Sequence, residues 1–393
     1  MNSAEVRIMA LTSVAHFFTH VFMLIYPTIA VIIAVEWATA ESDMLLLATP
    51  GFMLYGLVAF PQGLLADRVG GFVPVLVGLI GMGGGSILCG VAKEPWALAA
   101  GLGVIGLFAS AYHPAGLGLI SQGMSRPGWA LGINGAIGSA AVAVAPGLAE
   151  ILSSSVGWRG TFTILGSVAI FVGVVLAFFP VRPEPAVAHH EVSSDEPLFQ
   201  RSFILLCIVM LFSGLAYRGV NIILPTLFSE RIDGVGHGVA TSMTYGFAVV
   251  MNYFGGRLAD RYAAPRLYFV FHAFSFAPLV LTAWLSGPEL LTVAAGYAAG
   301  AMAAQPVENR YIALLSPASR RSVAYGIKFT ISFGVGALAV PAVSAILEHF
   351  GTRLVMLVLS AVVGCLVVSA WVLLRHSLRT SNQHCASNNG AKI

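Results

Sequence analysis

Gly63-Leu-Leu-Ala-Asp67-Arg68-Val-Gly70 recurs further along the chain as Gly256-Arg-Leu-Ala-Asp260-Arg261, with five of six compared residues identical. A second pair of matching segments, Gly157-Trp-Arg159 and Gly351-Thr-Arg353, has almost the same offset, 194 residues instead of 193. Two copies of one pattern in constant register indicate an internal repeat, in which each half of the chain forms the same unit.

The composition identifies the kind of unit that is repeated. Of the 393 residues, 58% are hydrophobic and only 9% are charged, whereas soluble domains carry roughly 25% charged residues. The mean hydropathy of +0.86 is too high for a single soluble core, because a soluble core still needs a polar surface. The sequence therefore predicts a polytopic, all-α integral membrane protein. It excludes a nucleic-acid-binding module, a disulfide scaffold and a disordered chain.

Short polar segments divide the chain into apolar runs of about 20–28 residues, each long enough to cross a hydrocarbon layer of about 30 Å. We predict twelve transmembrane helices from these runs, at approximately 7–35, 44–66, 72–92, 96–122, 128–153, 160–180, 202–229, 235–259, 266–286, 290–315, 321–347 and 354–375.

The longest polar interior stretch separates the twelve runs into six and six. We predict an N-terminal six-helix bundle at 1–180, a cytoplasmic linker at 181–201, a C-terminal six-helix bundle at 202–375 and a disordered cytoplasmic tail at 376–393. An even number of helices per repeat gives both halves the same orientation, so the repeats are parallel and a binding site is expected between them at mid-membrane.

The placement of lysine and arginine predicts the orientation in the membrane. With the N-terminus inside, thirteen basic residues fall in inner segments, and only four fall in outer ones: Lys93, Arg159, Arg231 and Arg353. Positive charge is retained in cytoplasmic loops. We therefore expect a multi-pass protein of the cell inner (plasma) membrane with both termini in the cytoplasm.

With its motif at Gly63–Gly70 and the parallel repeat, the chain resembles the major facilitator superfamily of transporters over residues 7–375. The family motif between the second and third spans reads G-x-L-A-D-R-x-G. The resemblance implies two six-helix bundles around a central cavity lined by the first, fourth, seventh and tenth spans, and alternating access to that cavity. It also implies a cytoplasmic gate formed by Asp67, Arg68, Asp260 and Arg261.

Within this superfamily, short segments are similar to exporters of the fosmidomycin-resistance type. These are His16-Phe-Phe-Thr-His20, Tyr26-Pro27 and Tyr112-His113-Pro114. The resemblance favours proton-coupled efflux by antiport, and it makes Tyr26, Tyr112 and His113 candidates for contact with the substrate.

Ionisable residues inside predicted spans are costly and are therefore candidate functional residues. His16 and His20 are one helical turn apart, and the repeat places Arg218 at the position corresponding to His20, with Asn221 one turn further on. Arg218 keeps its charge and is the best candidate for binding an anion, whereas an imidazole can carry a proton. The spacing of His16 and His20 also suits zinc, but two ligands do not make a site, so we predict no metal.

The tenth and eleventh spans carry a second polar group. Gln305 and Glu308 share a helix face, whereas Arg310 points roughly the opposite way. We expect Glu308 to act as a proton carrier or as a counter-ion to Arg218 or Lys328. Lys328, whose counterpart in the first repeat is Asn134, is a candidate for substrate contact.

These residues predict a secondary active transporter of a small anionic organic solute or drug, working by alternating access with proton-coupled efflux. Proton–anion symport for uptake remains an alternative, as does a membrane receptor or chaperone that kept the fold and lost transport. No catalytic constellation or nucleotide-binding motif indicates an enzyme, and we expect a monomer with protons and the lipid bilayer as partners, no cofactor and no nucleic acid. The predicted substrate-binding residues are His16, His20, Tyr26, Tyr112, His113, Asn134, Arg218, Asn221, Gln305 and Lys328. The predicted proton-coupling residues are His20, His113 and Glu308.

Overall fold

A computed structural model describes residues 1–181, 200–316 and 321–390, and every regular element within them is a helix. A six-residue π-helical segment, Thr330–Val335, and a short 3₁₀ turn, Gly336–Leu338, interrupt the last third of the chain. In chain order the α-helices are α1 (Ser3–Glu36), α2 (Glu41–Leu46), α3 (Thr49–Leu57), α4 (Ala59–Val69), α5 (Phe72–Gly90), α6 (Pro95–Ala109), α7 (Tyr112–Gly123), α8 (Pro127–Ala177), α9 (Arg201–Arg231), α10 (His237–Arg261), α11 (Ala264–Leu281), α12 (Gly287–Leu315), α13 (Arg321–Phe329) and α14 (Ala339–Gly390).

Eight helices in the described residues are long and apolar enough to cross a membrane, and the bent pair formed by α2–α3 and α4 makes nine. Two of these are each a pair of helices joined at a glycine: α8 breaks at Gly157, with φ of 72°, and α14 breaks at Gly351, with φ of 74°. Residues other than glycine rarely adopt a backbone conformation with such a positive φ. With α10 included, the arrangement is consistent with the twelve predicted spans.

The two breaks fall at equivalent positions of the two sequence repeats, so the repeat extends to the backbone conformation. Each half packs as its own bundle. In the first half, α1 and α5 both pack on α8, and α6 packs on α5. In the second half, α12 packs on α10 and α11, and α14 packs on α9. The fold is therefore the pair of helical bundles that the sequence predicts.

The first helix is fixed at its start by a capping box. Asn2 accepts a hydrogen bond from the backbone N–H of Glu5 at 2.8 Å, and the Glu5 carboxylate accepts one from the backbone N–H of Asn2 at 2.9 Å. Such reciprocal bonds satisfy donors that a helix start leaves free. Glu5 also accepts a bond from the backbone N–H of Ser125 at 2.8 Å, so the starts of α1 and α8 lie together at one end of the bundle.

At the opposite end, the two halves are joined by polar contacts. The carboxylate of Glu150 on α8 lies 3.2 Å from Nδ1 of His237 on α10 and accepts a hydrogen bond from the backbone N–H of Val239 at 3.0 Å. Close by, Ser344 on α14 donates a hydrogen bond to the carbonyl of Ser42 on α2. The end of the bundle away from the N-terminus is therefore closed.

The halves also touch halfway along their length, through glycines. Gly56 on α3 lies so close to Gly334 that an added Cβ would overlap the Gly334 backbone. Next to this contact, the rings of Tyr55 and Phe333 stack with centroids 4.9 Å apart. Gly334 and Phe333 belong to the π-helical segment, so the irregular turn supplies the contact between the bundles.

The structure describes the ends of the predicted linker and most of the predicted tail. Residues 182–199 of the linker and 391–393 of the tail lie outside the described residues. Residues 376–390 continue α14 as helix, in contrast to the disorder that the sequence predicts there. The 376–390 segment contains no proline, and the hydroxyl groups of Ser377 and Tyr311 hydrogen bond at 2.7 Å, so the start of the segment is attached to α12.

Candidate functional site

A cavity of about 900 Å³ lies between the two bundles and is lined by residues of both. Its wall reaches Asp67 near the end of α4 and Gln122 near the end of α7. These helix ends lie at the same end of the bundle as the N-terminus. Since the opposite end is closed by the contacts at Glu150 and Ser344, the structure is open toward the end that carries the N-terminus.

Histidines line the part of the cavity wall that the N-terminal bundle forms. The imidazole Nδ1 of His16 lies 2.9 Å from the carbonyl oxygen of Asn134, and its Nε2 lies 3.1 Å from Nε2 of His20. Tyr112 stacks on His16 with centroids 4.5 Å apart and donates a hydrogen bond to Oδ1 of Asn134 at 2.5 Å. The orientation of His16 is therefore fixed from behind by α7 and α8.

His113 is the third imidazole of this wall. Its ring meets that of His16 edge-on with centroids 5.4 Å apart, and it stacks on Phe329 of the other bundle at 4.9 Å. Among the residues that the structure describes, Nε2 of His113 has no hydrogen-bond partner, although it is buried. The side chain is thus held by its ring faces and keeps a free nitrogen.

Arg218 lies in the cavity wall on the C-terminal side. Its side chain is buried, with 3% of the residue exposed, and its guanidinium lies over the ring of Phe52 at 3.8 Å from the centroid. Within the described parts of the chain, Nε of Arg218 has no hydrogen-bond partner and no carboxylate forms an ion pair with it. Cation–π contact compensates a buried cation only in part, so an anion in the cavity would find an unsatisfied charge.

Glu308 and Lys328 form an ion pair at 2.9 Å in the same cavity. Tyr268 donates a hydrogen bond to Glu308, and Lys328 donates one to Oδ1 of Asn309 at 2.5 Å. Of the alternatives left open by the sequence, the structure pairs Glu308 with Lys328. Arg310 lies outside the cavity wall, where it bonds the carbonyl of Ala259, as expected from its position on the helix.

Three predicted substrate-binding residues lie outside the cavity wall, in contrast to the position that the sequence suggests, and their contact with a substrate stays a prediction. Tyr26 is buried in the N-terminal bundle, where it donates a hydrogen bond to the carbonyl of Met44 at 2.5 Å. Asn221 turns back along its own helix and donates to the carbonyl of Tyr217 at 2.7 Å. Tyr112 stands behind His16. Each of the three side chains donates its hydrogen bond to a nearby acceptor, whereas Oδ1 of Asn221 has no partner among the described residues.

The remaining predicted residues do line the cavity, and they come from both bundles. They are His16, His20, His113, Asn134, Arg218, Gln305, Glu308 and Lys328. His20 and Arg218, which the repeat places at corresponding positions of the two halves, both line this cavity. Their roles in binding or proton transfer stay predictions.

Sequence reasoning missed most of the uncharged part of the wall. Aromatic and small polar residues within apolar runs look the same whether they pack in a core or face a cavity. The members that were missed include Tyr55, Tyr217, Asn252, His272, Tyr297, Asn309, Phe329 and Phe333. The one available signal was adjacency in sequence to the charged residues, since Tyr217 directly precedes Arg218 and Asn309 directly follows Glu308.

The predicted cytoplasmic gate lies at the open end of the cavity. Asp67 lines the mouth, while Arg68 and Arg261 are exposed. The side chain of Asp260 lies outside the described part. Among the described side chains, neither Asp67 nor Arg68 takes part in an ion pair. This agrees with an open mouth, and the gating role stays a prediction.

The family model of the Major Facilitator Superfamily matches residues 11–227 and 206–387, which together include nearly the whole chain. The chain therefore belongs to the Major Facilitator Superfamily, and it is a multi-pass membrane transport protein.

Two relatives carry the name multidrug resistance protein MdtG. That of Yersinia enterocolitica is 27% identical over 258 residues, which are 61% of each chain, so the match spans about three fifths of that relative. That of Dickeya zeae is 26% identical over 353 residues, 85% of this chain and 84% of the relative.

Among solved structures, this chain is similar to a bacterial homologue of the human lysosomal transporter Spinster in an inward-facing and unoccupied conformation. The TM-score is 0.79 at 16% identity, over 96% of this chain and 98% of the other. This likeness shows the fold. The narrower resemblance to exporters of the fosmidomycin-resistance type stays a prediction.

Proposed function

We propose that the chain is a secondary active transporter that exports a small organic anion or anionic drug through the cavity between its bundles. The proposal rests on one observation: Arg218 is buried in the cavity wall and has no carboxylate partner among the described residues. A buried guanidinium without a carboxylate partner is costly, and an anion that enters the cavity offsets this cost. Its planar fork of donors also suits carboxylate and phosphonate groups.

The charges around Arg218 support a solute of one or two negative charges. Glu308 neutralises Lys328 through the ion pair at 2.9 Å, which leaves Arg218 as the unpaired positive charge among the described residues of the wall, while the carboxylate of Asp67 lies at the mouth. Protonation of Glu308 would free Lys328 and would add a second positive charge. The cavity is thus suited to anions at either protonation state of Glu308.

Export is the direction supported by the relatives, since two of them are named for multidrug resistance. In that case an inward proton gradient drives the solute out. The cytoplasm lies at the end that carries the N-terminus, as the lysine and arginine distribution predicts, so the structure is the inward-open state of an inner-membrane protein with cytoplasmic termini.

Proton–anion symport is the second candidate, and the Glu308–Lys328 pair favours it. While Glu308 is ionised, it competes with an anion for Lys328. A proton on Glu308 removes the competitor, so proton and anion favour each other's binding, and the coupling is reciprocal. The proposal places proton coupling at Glu308, and the additional roles of His20 and His113 stay predictions.

Binding of anions to the purified protein tests the proposed substrate class. We expect a thermal-shift screen of carboxylates, phosphonates and amphipathic drugs to find anions that raise the melting temperature. Arg218→Ala should abolish this rise. Arg257→Ala is the matched control, because Arg257 is an exposed arginine of the same bundle outside the cavity wall.

Two outcomes would contradict the proposal. One is an anion response that survives in Arg218→Ala, which would place the anion elsewhere. The other is stabilisation by cations alone. Anion binding without any flux in proteoliposomes would favour a receptor or chaperone on the same fold.

A further inference from the structure

We propose that His16, His20 and His113 form a binding site for a divalent transition-metal ion of the zinc type in the wall of the central cavity. The three residues each offer one nitrogen, and these nitrogens lie within 4.8 Å of one another. His16 and His20 alone have suitable spacing but are too few, since metal sites of this kind use three protein ligands and leave one position open. The fold supplies the third ligand from α7.

The geometry of the nitrogens suits such an ion. Tetrahedral zinc with Zn–N bonds of 2.0–2.1 Å sets its ligand nitrogens about 3.3 Å apart. The Nε2 atoms of His16 and His20 are 3.1 Å apart, close to that value. The three nitrogens lie at most 4.8 Å apart. Rotation of the imidazole rings brings them to the tetrahedral spacing as the ion binds.

The tautomer of His16 is already set for metal binding. The carbonyl oxygen of Asn134 can only accept a hydrogen bond, so the proton of neutral His16 stands on Nδ1, which lies 2.9 Å from that oxygen. The lone pair of Nε2 then points toward the cluster. Metal-bound histidines commonly donate their other N–H to a carbonyl in this way.

His113 provides independent evidence that this site binds an ion. It is nine-tenths buried, and among the described residues its Nε2 has no hydrogen-bond partner. A buried polar atom left unpaired costs free energy, and an ion coordinated through Nε2 of His113 would satisfy it. The fourth position of the ion faces the cavity, where an anionic ligand would also offset the charge of Arg218 on the C-terminal side of the same cavity.

Titration of the full-length protein with Zn²⁺ alone, in detergent and without a polyhistidine tag, tests this site. We expect the wild type to bind one Zn²⁺ that the triple variant His16→Ala/His20→Ala/His113→Ala does not bind. The triple variant also accounts for ions held elsewhere, because the sequence contains His189, His190, His384 and Cys385. Single replacement of His113 by alanine should weaken binding by more than about 100-fold, since even outer-shell changes cost 10–100-fold.

His272→Ala is the matched control. His272 is another buried histidine of the cavity wall whose Nε2 has no partner among the described residues, but it lies on α11 outside the cluster. This variant should bind Zn²⁺ with wild-type affinity. Zn²⁺ should also raise the melting temperature of the wild type and of His272→Ala, because a ligand that binds only the folded state stabilises it, and it should leave the triple variant unchanged.

Equal Zn²⁺ binding by the wild type and the triple variant would overturn the proposal. A loss in His272→Ala as large as that in His113→Ala would overturn it too. Should His113→Ala fail to fold, His20→Ala replaces it, because His20 is only partly buried and, among the described residues, hydrogen bonds only to His16. Replacement of Zn²⁺ by Co²⁺ gives a second readout, as three nitrogen ligands produce the visible absorption of a tetrahedral centre.

Discussion

Single side chains divide the cavity into two chemically different walls. The N-terminal wall presents the imidazoles of His16, His20 and His113, of which the first two hydrogen bond to each other. The C-terminal wall presents charges, with Glu308 and Lys328 paired and Arg218 unpaired among the described residues. An anion between the two walls meets a fixed positive charge on one side and adaptable donors on the other, which is the arrangement that a small anionic solute requires.

Replacing Glu308 by glutamine tests the proton coupling at this scale. Glutamine keeps the size of the side chain but cannot exchange a proton, so we expect solute flux in Glu308→Gln to ignore an imposed pH gradient to which the wild type responds. The measurement is flux in proteoliposomes with and without the gradient, and its direction distinguishes antiport from symport.

Glu348→Gln is the control for that experiment, because Glu348 is an exposed glutamate of the same bundle outside the cavity wall. It should respond to the gradient as the wild type does. An identical response of the wild type and Glu308→Gln would exclude Glu308 as the coupling residue, and a wild type that ignores the gradient would exclude proton coupling itself.

Among single residues, the sequence predicted which charged side chains line the cavity better than it predicted which uncharged polar side chains face it. Arg218, Glu308 and Lys328 were recognisable because ionisable groups inside apolar runs are rare and costly. Tyr26 and Asn221 lie outside the cavity wall because the Tyr26 hydroxyl and the Asn221 amide N–H donate to the carbonyls of Met44 and Tyr217, and these partners are not visible in sequence.

At the scale of helices, close packing depends on glycine. Gly106 on α6 faces the carbonyl of Gly51 on α3 so closely that an added Cβ would overlap it. Contacts of this kind let helix backbones approach each other within a membrane. The repeat predicted the equivalence of Gly157 and Gly351, but the π-helical turn at Thr330–Val335 carries no such signal, since it depends on how the two bundles meet.

The substitution Gly106→Ala tests this packing. The new methyl group must push α3 and α6 apart, and overpacking of this kind costs about 1–3 kcal/mol. We therefore expect a lower melting temperature in detergent. Gly84→Ala is the control, because a Cβ at Gly84 meets nothing within 4 Å, and alanine favours the helix. Equal stability of the two variants would contradict the proposed contact.

At the scale of the whole molecule, the two bundles are joined at one end and apart at the other. The contacts of Glu150 with His237 and of Ser42 with Ser344 close the end away from the N-terminus, and the cavity reaches Asp67 at the other. Alternating access requires these contacts to break in each cycle. The sequence predicted the two bundles through its repeat, but not which end is open, because one sequence serves both states.

A cysteine pair at the closed end tests this cycle. In a background without the native cysteines, Ser42→Cys/Ser344→Cys should form a disulfide on oxidation, because the side chain of Ser344 contacts the backbone of Ser42. We expect the crosslinked protein to lose transport and a reductant to restore it. Ser42→Cys alone is the control, and unchanged flux through the crosslinked protein would show that this end need not open.

The central claim is that a solute anion crosses the membrane through the cavity at Arg218. Its most direct test is the flux of anions found in the thermal-shift screen, measured in proteoliposomes carrying the wild type, Arg218→Ala or Arg257→Ala at equal protein content. We predict saturable flux for the wild type and Arg257→Ala and none above protein-free vesicles for Arg218→Ala. Anion flux at the wild-type rate through Arg218→Ala would contradict the account.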